Sequence, residues 1–141
     1  MNRFEDPPFQ MTALLALSFL LFRIGDAAPL VPRCELISLR THYRDAKAVF
    51  SGEVLNMRSK GEFVEIRFKV LRSWKDARGS EIVLNANPRD PETVNFIKGQ
   101  RYLVFASMFK NGLFAGGCSG ITELDSAHGD TKQLEKWRRR R

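Results

Sequence analysis

The sequence predicts a mainly β domain, a small five-stranded barrel with a short helix at each end, and three observations carry that prediction. Residues 63–74, FVEIRFKVLRSW, set Val64, Ile66, Phe68 and Val70 against Glu65, Arg67 and Lys69 in strict alternation, the period of a strand with one face in a core and the other in water. Four further strand-like runs, at 48–57, 80–87, 100–108 and after a Lys110-Asn111-Gly112 turn, are separated by Gly, Pro and Asp clusters. A seven-stranded sandwich would need two more strands than these five, whereas a small closed or nearly closed barrel needs no more.

The first 27 residues stand outside the expected domain. MTALLALSFLLF, residues 11–22, is an uncharged apolar run, and Gly25 and Ala27 place small residues at the minus-three and minus-one positions of a cut after Ala27, so residues 1–27 are expected to be a signal peptide and the protein to be secreted. Twelve apolar residues fall short of the roughly 20 that a spanning helix needs, so no transmembrane span is expected. The preceding MNRFEDPPFQ carries Arg3 against Glu5 and Asp6 in place of the usual positive charge, and Met11 is a second candidate start. The mature chain then divides into an extended segment at 28–33 containing Pro29 and Pro32, a domain at 34–125, and a basic helix or tail at 126–141.

In order along that chain, Leu36, Leu39 and Tyr43 recur at helical spacing with Ser38 as a candidate cap. The first strand contains Gly52, which predicts a bulge or bend that lets a long strand join both halves of a barrel. Residues 58–62, RSKGE, are the expected turn into the second strand. The third strand, 80–87, ends where Pro88 and Pro91 forbid a ladder. The fourth, 100–108, is apolar on both faces, as a strand covered on both sides should be. The fifth is LFAGGCSG, 113–120, following a hairpin turn. Beyond Asp125 a break at Gly129 and a helix capped by Asp130 or Thr131 are expected, ending in Arg138 to Arg141.

Composition and chemistry narrow the function. Removing residues 1–27 takes away Arg3 and Arg23 with Glu5, Asp6 and Asp26, which moves the net charge from +7 to +8; six of the positive residues lie in the last ten. The basic character is therefore a property of the tail, where Lys136, Trp137, Arg138, Arg139, Arg140 and Arg141 form a candidate polyanion-binding set: guanidinium groups take sulfate, carboxylate or phosphate, and the indole can rest on a sugar. Export disfavours nucleic acid as the partner and favours an anionic polysaccharide. His42 and His128, the histidines of the chain, are expected to be solvated surface residues, His128 in a loop; with two cysteines they show no metal-ligand spacing. No nucleophile and base are paired, so neither catalysis nor a cofactor is expected. In an exported chain Cys34 and Cys118 are either bridged or two buried thiols.

The runs AVFSGEVL, FKVLRSWKD, FIKGQRYLVFA and NGLFAGGCSG, in that order and spacing, resemble the netrin-like domain, in particular the tissue inhibitor of metalloproteinases group and its compact microbial relatives. The resemblance covers about residues 34–125. It implies a five-stranded OB-type Greek-key barrel flanked by helices, and a non-enzymatic module that binds an extracellular protein, specifically a zinc metalloproteinase. In that family the mature chain begins with Cys-x-Cys, and the α-amino and carbonyl groups of the first cysteine chelate the protease zinc. The cysteine after the NGL turn pairs with the second cysteine, which implies a Cys34–Cys118 bridge. This chain departs from the pattern by placing Pro32 where the chelating cysteine would stand, with Arg33 between, so the implied inhibitory edge is Pro32, Arg33, Cys34 and Glu35. Cleavage after Arg33 would free Cys34 as a new terminus.

Overall fold

A computed structural model describes residues 37–90, 96–110, 112–116 and 118–140. The first element is α1, Leu39–Asp45, with the Ser38 side chain accepting from the Thr41 amide at its start, as the sequence suggests. Then come β1, Ala48–Lys60, β2, Phe63–Lys75, and β3, Glu81–Ala86. After them follow β4, Arg101–Phe109, β5, Gly112–Phe114, and β6, Ile121–Glu123. A 3₁₀ turn at Leu124–Ser126 leads into α2, His128–Arg138.

The sheet closes on itself. β1 pairs antiparallel with β2 along its length and, on its other edge, with β4 from Ala48↔Ala106 to Glu53↔Arg101. β2 pairs with β3, and the ring is completed by β5, which is parallel to β3 at Asn85↔Phe114 and antiparallel to β4 at Ser107↔Phe114. This is a five-stranded OB-type Greek-key barrel with short helices at its two chain ends, the expected fold.

Gly52 explains how one strand serves two edges. The β1–β2 register shifts between Ser51 and Gly52, and a methyl group at Gly52 would lie 3.0 Å from the Lys69 carbonyl oxygen, 3.0 Å from the Phe50 ring and 3.2 Å from Phe68 Cβ. The backbone packs directly on its neighbours here, a close approach that glycine permits.

Three local expectations are corrected. Residues 58–60 are strand and the turn shrinks to Gly61 and Glu62, because Arg58 and Lys60 both pair with Glu65 across the hairpin, at 2.7 and 3.1 Å. The return after the hairpin is not one strand: β5 ends at Phe114, Ser119 Oγ closes a turn by accepting from the Gly116 amide and donating to its carbonyl, and the chain rejoins β4 as β6. The C-terminal helix does not start after Gly129. It begins at His128 with Ala127 at the N-cap and no side-chain cap, since the 3₁₀ turn delivers Ala127 into the core and its carbonyl accepts the Thr131 amide.

Two apolar clusters hold the fold. Inside the barrel lie Phe50, Val54, Ile66, Phe68, Leu84 and Tyr102, with Phe96 stacked edge-on to Phe68 and Tyr102 at ring distances of 5.5 and 5.0 Å. Outside it, Val49, Trp74, Leu103 and Phe105 are covered by the helices through Leu39, Tyr43, Leu134 and Trp137. Those helices are the reason β4 is apolar on both faces, and they make residues 126–140 part of the domain. No helix among the described residues is long and apolar enough to cross a membrane; the run 11–22 lies outside them.

Candidate binding surfaces

Pro32, Arg33, Cys34 and Glu35 lie outside the described residues, as does Arg141. Cys118 is described: it sits exposed in the turn between β5 and β6 and is not a free thiol. That turn lines a cavity of about 180 Å³ with Thr41, His42, Asp45 and Phe105. His42 is not the solvated residue expected from sequence. It is half-buried, its ring 5.7 Å from that of Phe105, and burial lowers its imidazole below the ordinary 6.5 although Asp130 and Asp45 pull the other way. His128 is exposed, but as the first residue of α2 and not in a loop.

The far side of the same turn borders an apolar groove of about 400 Å³ at the β4–β5 hairpin. Phe114 stacks edge-on between Phe63, 5.1 Å away, and Phe109, 5.2 Å away. Phe109 and its neighbour Met108 remain 52% and 50% exposed. Ser107 borders both hollows, so this aromatic surface is continuous with the Cys118 turn. The hairpin geometry accounts for the exposure: β4 runs past the end of β1, and, among the described residues, 107–109 pair with the three residues of β5.

A second surface forms where the C-terminal helix meets α1. Trp137 is not a free indole: its ring lies 5.5 Å from that of Tyr43, and the Arg40 guanidinium sits 5.7 Å above it. Arg40, Tyr43, Arg44, Lys75 and Trp137 enclose a groove of about 460 Å³. Lys75 Nζ donates to the carbonyls of Tyr43 at 2.9 Å, Arg44 at 3.0 Å and Ala46, closing the C-terminal end of α1 with a positive charge where the helix dipole favours one. Arg44 is paired with Asp45 at 2.7 Å, and the hydrogen bond from Arg44 holds the Asp45 carboxyl below its ordinary value.

The helix itself is fastened to the barrel through Glu135. Burial pushes its carboxyl up, but the Trp74 hydrogen bond and the charges of Arg72 and Arg138 outweigh burial and leave it below the ordinary value. Arg138 is thereby spent on Glu135, at 3.2 Å. Among the described residues no carboxylate lies within ion-pair distance of Arg40, Lys136, Arg139 or Arg140. The expected tail set is therefore divided by the fold: Trp137 and Arg138 have structural partners, Lys136, Arg139 and Arg140 face solvent, and Arg40, Arg44 and Lys75 line the groove beside Trp137. Arg40 and Arg44 are neighbours four positions apart on α1, but each of the three sits in an ordinary mixed-charge stretch, and Lys75 and Trp137 reach α1 only in the folded chain.

No cluster of three His, Cys, Asp or Glu among the described residues is placed to hold a metal ion. Scans of the chain against family models and curated proteins return no match.

Proposed function

We propose that the protein is a secreted, non-enzymatic module of the netrin-like, tissue-inhibitor type whose activity is to bind another extracellular protein, with zinc metalloproteinases the partner class its sequence resemblance singles out. One observation carries this reading: the exposed aromatic surface of Phe109, Met108, Phe63 and Phe114 is continuous with the turn that bears Cys118. A bridge from Cys118 to Cys34, which the sequence resemblance implies, would tie the implied inhibitory edge, Pro32 to Glu35, to the turn that borders this surface. Exposed aromatic and methionine side chains are the residues enriched in such interfaces.

The test is binding and inhibition against a panel of zinc metalloproteinases with the secreted, N-terminally sequenced protein. Phe109→Ala with Met108→Ala should weaken capture by at least about tenfold. Inhibition that appears only after cleavage at Arg33 assigns chelation to Cys34; binding without inhibition in either form assigns a docking role alone. Failure to engage any member of the panel defeats the metalloproteinase assignment.

The uncompensated Lys136, Arg139 and Arg140 favour a second reading, capture of an extracellular anionic polysaccharide through the end of α2. Because Trp137 packs on Tyr43, truncation would damage the fold, so the sharper test replaces Arg139, Arg140 and Arg141 with Gln. Heparin-column retention should fall while protease binding is unchanged.

A further inference from the structure

We propose that the groove between α1 and α2 is a subsite for a sulfated polysaccharide, in which Arg40 and Arg44 take sulfate groups and Tyr43 and Trp137 line the wall beside them. This deepens the polysaccharide reading by adding residues from α1.

The chemistry of the groove selects the ligand. Arg40 has no carboxylate partner among the described residues. The carboxylate on Arg44 belongs to a fully exposed pair with 71% and 60% side-chain exposure, which a sulfate can replace at little loss. Lys75 donates its three N–H groups to carbonyls, so it contributes positive potential to the groove wall and no contact. Arginine, unlike lysine, offers a planar pair of donors matched to two sulfate oxygens. The volume, about 460 Å³, lies within the range of small-ligand sites.

The same features disfavour the other common polyanions. A membrane surface rewards apolar side chains standing beside the cations, and the exposed large hydrophobics, Met108 and Phe109 among them, are not in this groove. Nucleic acid bases need an open aromatic face, and both rings here are engaged: Trp137 by Tyr43 and Arg40, Tyr43 by Trp137 and by Lys75 at 5.4 Å. What the groove offers is guanidinium groups beside rings that already have partners, which suits a ligand held by its sulfates and not by a stacked base.

The experiment titrates the full secreted chain with a size-defined heparin oligosaccharide at physiological salt. Arg40→Gln/Arg44→Gln should weaken binding about tenfold, and Arg40→Lys/Arg44→Lys, which keeps the charge, should still lose several-fold. Arg67→Gln/Lys69→Gln, an equal charge loss on β2, should change affinity less than about twofold. Chemically desulfated oligosaccharide should bind weakly to every form. If the groove variants match the β2 control while the Arg139/Arg140/Arg141 variant loses binding, the polysaccharide reading stands and the subsite falls. If the parent does not bind the oligosaccharide, both fall. Preference for phosphatidylserine vesicles or single-stranded DNA over heparin overturns the assignment of a sulfated sugar.

Discussion

The indole N–H of Trp74 donates to Oε1 of Glu135 at 2.6 Å, joining the end of β2 to the middle of α2 across 61 positions of sequence. Arg72 and Arg138 reach the same carboxylate, at 2.6 and 3.2 Å. One side chain thus orients the helix that carries the basic terminus. Glu135→Gln keeps an acceptor for Trp74 but loses the charge facing two arginines, and should lower Tm slightly. Glu135→Ala removes the acceptor as well, and should lower it further and speed amide hydrogen exchange along α2. Equal melting of all three proteins would show that the contact does not hold the helix.

Leu134 is 1% exposed, between the helix and the outer face of the barrel. Leu134→Ala should cost about 2–5 kcal/mol in urea unfolding. A cost below about 1 kcal/mol would mean that α2 is an appendage, and the α1–α2 groove would then lack a rigid wall.

Gly52→Ala should destabilise by about 1–3 kcal/mol, because its methyl group has no space between the Lys69 carbonyl and Phe50. Denaturant titration gives the value directly; a neutral or stabilising result would show that the close backbone approach does not require glycine.

His42 sets a pH dependence. Its folded value lies below the ordinary 6.5, so the unfolded chain binds this proton more readily. The stability it contributes is complete above pH 6.5 and is lost as pH falls from there through the lowered folded value. His42→Gln should flatten the Tm profile in that window, and an unchanged profile would assign the acid loss to other groups.

The proposed bridge makes a separate prediction. Reduction, or Cys118→Ser, should cost on the order of 4 kcal/mol by the loop-closure model. Mass mapping of the unreduced protein should find Cys34 and Cys118 in one peptide pair, and two alkylatable thiols would exclude the bridge.

Much of the architecture was legible in local pattern. The alternation of Val64, Ile66, Phe68 and Val70, the doubly apolar β4 and the Ser38 cap each follow from one residue's relation to its near neighbours. The errors arose where a contact a few residues away overrode the intrinsic preference of a segment. Glu65 extended the β1–β2 hairpin past its polar turn by pairing with Arg58 and Lys60. Ala127, buried by the 3₁₀ turn, pulled helix α2 forward through Gly129 despite better caps downstream.

The binding surfaces divide in the same way. That the terminus is basic, and that a cysteine lies in a glycine-rich return after a hairpin, are facts of order along the chain, and charge and turn chemistry need nothing more. The pairing of Glu135 with Arg138, three positions apart on one helix, is readable along the chain; that Tyr43 claims Trp137, and that Arg40 and Arg44 arrive from about a hundred residues away, was decided by folding. Such pairings depend on side chains meeting across two helices packed on one sheet face, a relation that no spacing within either segment encodes.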